Sequence, residues 1–479
     1  MTNPMPHSKN QSRVIVLAAV ASVIGLAACN TDKLLTAPTP DVVLPKDIVG
    51  AAALPSAFAS AIGDFQIAYA GGYGSGLDNN EGLAQIAGLL SDELLNSETF
   101  TTRIEIDRRA TNPINGTTLQ TFQDAQRARA TADLVASRFR TFLPADPRGA
   151  EVQALAGFMY VMFAEDYCNG VPTSKVNDEG TFSYGSAQTG QQLLTTAVAK
   201  FDSAMATATA AGASGATALN LARIGKGRAL LDLNQPAAAA LAVASVPSTF
   251  NYSIEHSENS GRQNNALFTY NYLEGRFTVA DAEGGNGIPF VTLNDPRTPV
   301  IDNGTGFDGS TEQFLTTKYP ERKAPTPLAI GSEARLIQAE AALRNSDLPT
   351  FLSMLNAARA NAPTYTADGS PKSQAEPAPN PLTVADLPAT TAGQQNLLFR
   401  ERALTLFLTN HRLGDMRRLI WQYSRGSESV FPTGPYQLDN PDKSGTNYGP
   451  DVNLPVPAEE SNNPSFRPAG CINRAAGIT

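Results

Sequence analysis

Apolar residues recur along most of the chain at helical spacing. Leu83, Ile86, Ala87, Leu90 and Leu94 fall on one face at i, i+3, i+4, i+7 steps. Thr118 to Leu143 runs without Gly or Pro, long enough for a substantial helix. Asp146-Pro147 has the form of an N-cap followed by Pro at the first helical position. It opens a run carrying Val152, Leu155, Met159, Met162 and Phe163 that stops at Asn169-Gly170-Val171-Pro172. Gln191 to Ala211 repeats the pattern with Leu194, Val198, Phe201 and Met205. Alternating runs of strand type are scarce. The pattern predicts a mainly α fold.

Two segments carry the same supersecondary pattern. Ala222-Arg223-Ile224 opens a helix that reaches Asn234-Gln235-Pro236, and an alanine-rich helix follows. Ala334-Arg335-Leu336 opens another, which turns at Asn345 to Pro349 and re-enters a helix through Met354-Leu355. Small residues on the inner faces let paired helices approach closely, as in tetratricopeptide-like hairpins. Any antiparallel helix pair is the plainer reading. Phe250 to Thr311 and Arg425 to Thr479 break the pattern, being rich in Gly, Asn, Asp or Pro. Loops so long are usually functional. Low-complexity disorder is the alternative, but Tyr252, Phe268, Tyr270, Tyr272, Phe277 and Phe290 argue against it, because disordered segments are poor in aromatics.

Composition changes the picture at the N-terminus. Met1 to Arg13 is polar, with Lys9 and Arg13 as its only charges, and Val14 to Ala28 is fifteen residues without a charge. A bilayer-spanning helix needs about 20 apolar residues, so the run reads as the apolar region of a signal peptide. Leu26-Ala27-Ala28-Cys29 resembles a bacterial lipobox, in which the cysteine is diacylated and becomes the new N-terminus. An ordinary secretory signal cut near Ala28, leaving Cys29 free, is the alternative. Removing residues 1–28 moves the formal charge from −9 to −11. That balance argues against a phosphate-backbone binder, so no nucleic-acid partner is expected. With Cys29 acylated, Cys168 and Cys471 remain as an even pair in an exported protein, where disulfides persist. They are expected to bond, stapling the tail to the body; two buried free thiols are the alternative.

Several separated motifs, taken in order, resemble the SusD/RagB family of outer-membrane nutrient-binding lipoproteins. Ala154 to Ser174 reads ALAGFMYVMFAEDYCNGVPTS, similar to a family helix ending in tyrosine, glycine and "VP". Asp295-Pro296-Arg297 is similar to its "DPR" element, and Glu333 to Leu343 to its "RxAExxLxxAEA" helix. Phe399 to Leu419 resembles "ERxxELxxEGxRxxDLRR", departing at Leu404-Thr405 and Asn410, where the family usually shows an acid. Pro455-Val456-Pro457, Glu459 and Asn463-Pro464 resemble a C-terminal "PIPxxExxxNP". The resemblance implies one helical body of tetratricopeptide-like hairpins with long irregular loop regions. It also implies a lipid-anchored protein on the outer leaflet that binds an oligosaccharide or peptide for a TonB-dependent transporter of the SusC type. The expected organisation is a signal peptide (1–28), a tethered spacer (29–45), an N-terminal helical half (46–250), a loop-rich ligand-side excursion (251–330), a C-terminal helical segment (331–425) and an irregular tail wrapping the body (426–479).

Candidate chemistry is sparse. Once His7 leaves with the signal, His256 and His411 remain, without metal-ligand spacing, so no metal or cofactor is expected. His411 shares a helix with Arg412, Asp415 and Arg417, where an Arg412–Asp415 ion pair is expected as part of a structural network. Asp92-Glu93 is expected at a solvated helix edge. Gly72 to Gly76 fits neither a nucleophile elbow nor a phosphate loop and reads as a loop. No catalytic residue is assigned, and no enzyme is expected. Binding has better candidates, since loop aromatics offer rigid flat surface to sugar rings. Tyr73, with Asn79 and Asn80 as hydrogen-bonding neighbours, and Tyr270 and Tyr272, alternating along an extended segment, are the expected ligand contacts; packing of each tyrosine onto the body is the plainer reading. Trp421, within a helix, is expected to be buried. Two other readings stand beside binding for transport: a tetratricopeptide-type scaffold lipoprotein for protein partners, and a glycan hydrolase.

Overall fold

The helices follow from the apolar periodicity, and their ends from local capping. A computed structural model describes residues 46, 48–73, 79–178, 181–365, 378–437, 440, 443 and 445–467, with backbone alone at 79–80. The principal helices are α1 (Leu54–Ala70), α2 (Leu83–Leu90), α3 (Thr101–Asp107), α4 (Gly116–Phe142), α5 (Pro147–Asp166), α6 (Gly190–Ala210), α7 (Ala216–Asp232), α8 (Pro236–Val243), α9 (Gly331–Arg344), α10 (Leu348–Ala360), α11 (Thr391–Thr405) and α12 (Arg412–Tyr423). Asp146 caps α5 by accepting from the Arg148 amide at 2.9 Å, with Pro147 in the first turn. Asn115 caps α4 and Thr189 caps α6 in the same way. Helix α2 ends at Leu90, four residues before Leu94, which enters a strand instead.

Neighbouring helices pack in sequence order, α4 on α5, α5 on α6, α6 on α7, α7 on α8 and α9 on α10. The predicted hairpins are α7–α8 and α9–α10, with α7 beginning at Ala216, six residues before the expected start. Close approach needs small residues at two places above all. A Cβ on Gly157 of α5 would lie 2.7 Å from the Phe201 ring, and one on Gly225 of α7 only 2.3 Å from it. Phe201 therefore wedges α6 between its two neighbours. The apolar core runs continuously from α1 to the tail residues Val452, Leu454 and Val456, and Pro45–Thr479 is one compact unit.

The irregular regions are more ordered than the sequence indicates. Residues 251–254 pair antiparallel with 326–330, 300–305 with 312–316, and Leu94–Asn96 with Phe277–Val279. Residues 266–273 form a short helical turn, not the extended segment expected for Tyr270 and Tyr272. The tail crosses the body: the Leu454 amide donates to Asp166 O at 2.8 Å, the Ala458 amide to Pro113 O at 3.0 Å, and the Asn463 side chain to Gly185 O at 3.0 Å.

Candidate functional site

Arg297, Glu340, Glu401, Arg402, Asp415 and Arg418, charged residues of the motifs that carry the family resemblance, are buried and ion-paired among themselves. Arg418 reaches Glu340 at 2.5 and 3.0 Å, Asp415 at 2.8 Å and Asp232 at 3.5 Å. Asp415 also accepts from Arg402 at 2.7 Å. Arg297 of the DPR element pairs with Asp295 and, at 2.7 Å, with Glu401. The expected Arg412–Asp415 pair does not form; Arg412 instead grips Asp92 at 2.6 and 2.7 Å. Asp92 and Glu93 are thus buried, contrary to the solvated helix edge expected for them, because the partner of Asp92 comes from 320 residues away. Asn410, where the resemblance led to an acid, donates to Asp166 at 2.9 Å from a left-handed backbone (φ 56°). His411 contacts Arg228 at 3.0 Å and Glu333 at 3.1 Å, and His256 meets Thr326 at 3.0 Å. Burial raises a carboxyl pKa by disfavouring the charged form, yet Arg418 holds the Glu340 carboxyl below its ordinary value. This ion network ties α5, α7, α9, α11 and α12 together.

A crevice beside the network is lined by Lys318, Glu333, His411, Thr405 and Thr409 with apolar neighbours. Its free volume of about 10 Å³ is room for about one water, far too little for an oligomeric ligand. Burial, opposed by Glu93, pushes the Lys318 amine down to about 7, and its Nζ donates to Phe407 O. Among the described residues no group of three or more His, Cys, Asp or Glu is arranged to hold a metal ion.

The loop-rich side offers a different surface. The ribbon of Leu94–Asn96 and Phe277–Val279 delivers Glu98 and Arg276 to the same place. Arg276 donates to Glu98 at 2.6 Å and to Glu274; burial opposes its charge, and these carboxylates hold its pKa up. Its guanidinium carbon lies 5.0 Å from the Phe100 ring centroid and 4.2 Å from that of Phe307. Both rings are half open to solvent, at 52% and 53%. Phe307 is held by its amide, which donates to Gly275 O at 2.8 Å. Beneath the rings, Arg103 pairs with Glu81 and, at 2.7 Å, with Glu98. The result is a fixed pair of exposed aromatic rings around a charged group.

The expected ligand contacts divide. The short ribbon Gly72–Tyr73 with Asn79–Asn80 does bring Tyr73, Asn79 and Asn80 together, Tyr73 opposite Asn79, and Glu81 joins that ribbon to Arg103. Tyr73 is half-buried. Tyr270 is only 1% exposed, its ring 4.8 Å from the Arg103 guanidinium, so it supports the platform from below and is corrected from ligand contact to packing. Tyr272 stacks on Phe268 at 5.4 Å, and burial pushes its hydroxyl up to about 12. Trp421, expected inside, is 39% exposed. Cys168 is disulfide-bonded. Its proposed partner Cys471, and the proposed lipidation site Cys29, lie outside the described residues. Phe100 and Phe307 are not among the residues expected from the sequence; their placement in polar stretches, Glu98 to Thr102 and Gly304 to Ser310, is the signal that marks them.

No family model matches the sequence, and no curated protein is similar to it. Solved structures are. A SusD superfamily protein from Bacteroides fragilis superposes with a TM-score of 0.61 at 12% identity, over 88% of this chain and 99% of its own. The chain has the SusD-like fold. A SusD-like carbohydrate-binding protein from Bacteroides fragilis shares that fold at 16% identity and a TM-score of 0.59, over 86% of this chain and 99% of its own. A laminarin-binding SusD-like protein does so at 14% and 0.59, over 87% and 98%. Among the described residues no helix is long and apolar enough to cross a membrane.

Proposed function

We propose that this SusD-like chain is a lipoprotein, acylated at Cys29 and exposed on the outer membrane. It binds a nutrient oligomer on its loop-rich side and delivers it to a TonB-dependent barrel of the SusC type. The observation that carries the reading is the pair of exposed rings, Phe100 and Phe307, held around Arg276 on a rigid ribbon. Sugar rings present flat C–H faces to such a pair, and a preset geometry lowers the entropy lost on binding. Two of the similar structures are carbohydrate-binding and laminarin-binding proteins, so an oligosaccharide comes before a peptide. Tyr73, Asn79 and Asn80 extend the same surface through Glu81, and the Cys168 disulfide is assigned to Cys471. The role is binding and delivery, without covalent chemistry.

Titration against a panel of soluble polysaccharides and peptides tests the platform. Phe100→Ala with Phe307→Ala is expected to weaken the best ligand by about fivefold or more, since each aromatic contact is worth about 0.5–1.5 kcal/mol. Unchanged affinity would remove the platform from the site. Co-purification from detergent-solubilised outer membrane is expected to recover a barrel; recovery of soluble envelope proteins alone would favour the scaffold reading.

A further inference from the structure

A second exposed aromatic pair lies elsewhere on the molecule. Lys175–Val176 pairs antiparallel with Phe182–Ser183, and this hairpin carries Phe182 and Tyr184 two residues apart, hence on one face. The rings are 60% and 51% exposed, with centroids 6.4 Å apart. The hairpin runs along α4: Gln126 donates to Pro172 O at 2.7 Å, Arg129 to Ser174 O at 2.5 Å, and Arg138 to Asp178 at 2.6 Å. Its tip therefore lies at the C-terminal end of α4.

The chain enters the body at that same end. Helix α1 is antiparallel to α4: Thr131 of α4 bonds Asp64 in the second half of α1, while Leu54 at its start and Ile48 before it pack with Val135, Ala136 and Phe139. Val49, beside Ile48, is 72% exposed. The entering chain, with exposed Lys46 and Val49, and the hairpin, with exposed Lys175, Phe182 and Tyr184, both lie toward the C-terminal end of α4. Aromatic rings flanked by lysines suit a membrane–water interface, where amphipathic rings sit at headgroup level and cations meet anionic headgroups.

We infer that this end of the molecule is its membrane-facing surface, with Phe182 and Tyr184 seated in the bilayer interface. The inference rests on the lipid-anchor reading above. A lipid on Cys29 is joined to Lys46 by 17 residues, which reach about 60 Å at full extension and less when relaxed. The tether therefore enters at the end that carries the apolar patch. One membrane contact then holds the body oriented, which a single lipid anchor alone does not do.

The acylated full chain is reconstituted into phosphatidylethanolamine–phosphatidylglycerol vesicles with brominated acyl chains. Trp421, the sole tryptophan, is replaced by Phe, and Tyr184→Trp or Leu241→Trp supplies the reporter. Position 241 lies on α8 and is 79% exposed. Fluorescence from position 184 is expected to be quenched at least about twofold more than from position 241, because only the former reaches the acyl boundary. Phe182→Ser is expected to reduce that difference. Equal quenching at the two positions overturns the inference, and so does cross-linking of position 184 to a membrane protein in cells, which would make the patch a protein interface. The mass of the N-terminal peptide tests acylation separately. If Cys29 carries no acyl chain, the anchor reading falls, and coupling its thiol to a maleimide lipid puts the patch through the same comparison.

Discussion

At the scale of single residues, the structure separates side chains that hold the body from those that face a ligand. Arg418 shows the first kind. It is 1% exposed and meets three carboxylates, Glu340, Asp415 and Asp232, with its guanidinium carbon 5.3 Å from the Phe399 ring centroid. Removing one partner from a buried ion pair strands the other charge, at a cost of about 3–5 kcal/mol. Arg418→Met is therefore expected to lower the unfolding free energy by about that amount. Equilibrium unfolding in urea measures it, and a loss within error of zero would mean that the carboxylates find water instead. The network's residues were visible in the sequence as motifs, but its pairing was not. Arg412 lies three residues from Asp415 and still bonds Asp92, because α12 turns that side chain toward α2. Aromatic residues were misread for a related reason. Tyr270 and Tyr272 sit in a polar, glycine-rich stretch, but a helical turn directs Tyr270 inward, and no local signal distinguishes that turn from a loop.

At the scale of elements, helical periodicity was enough to place the long helices, since their buried faces repeat every 3.6 residues. It was less informative where helices end against tertiary partners. Leu94 continues the apolar spacing of α2, yet it pairs with Val279 in a ribbon, because the chain turns at Ser91 to seat Asp92 on Arg412. The hairpin chemistry was legible in the small residues, and the wedge made by Phe201 shows what they are for. Its ring contacts Phe158 at 5.2 Å and fills the space that Gly157 and Gly225 leave. Phe201→Ala is expected to cost about 3–5 kcal/mol, because the flanking backbones cannot close the cavity. The converse change, Gly225→Leu, is expected to disrupt folding by forcing α6 from α7. Thermal and urea unfolding of the two variants measure both effects; tolerance of Gly225→Leu would show that α6 is free to shift.

At the scale of the whole molecule, long-range contacts explain why Pro45–Thr479 is one compact unit. Tyr69 of α1 donates its hydroxyl to Pro327 O at 2.6 Å, and Glu93 accepts the Leu408 amide at 2.8 Å, joining segments hundreds of residues apart. No sequence pattern of either partner alone marks such a pair. The same burial makes global stability depend on pH in a way that can be checked. Burial is the main cause that raises Glu93 from 4.5 to about 8, and it raises Asp107 from 3.8 to about 6. For both groups the folded state holds protons that the unfolded chain releases. Their contribution is present below about pH 4 and is lost as pH rises through the folded values. Lys318, lowered from 10.5 to about 7, has the opposite sign: its contribution is present above the unfolded value and is lost as pH falls toward 7. His256, lowered from 6.5 to about 4 by burial, also opposes the carboxyl groups. Between pH 5 and 7 the buried carboxyl groups outweigh it, so the urea midpoint is expected to be higher at pH 5 than at pH 7. Glu93→Gln keeps an acceptor for the Leu408 amide and removes the titration. It is expected to narrow the gap between the two midpoints, whereas an unchanged gap would place the pH dependence in Asp107 and the remaining buried acids.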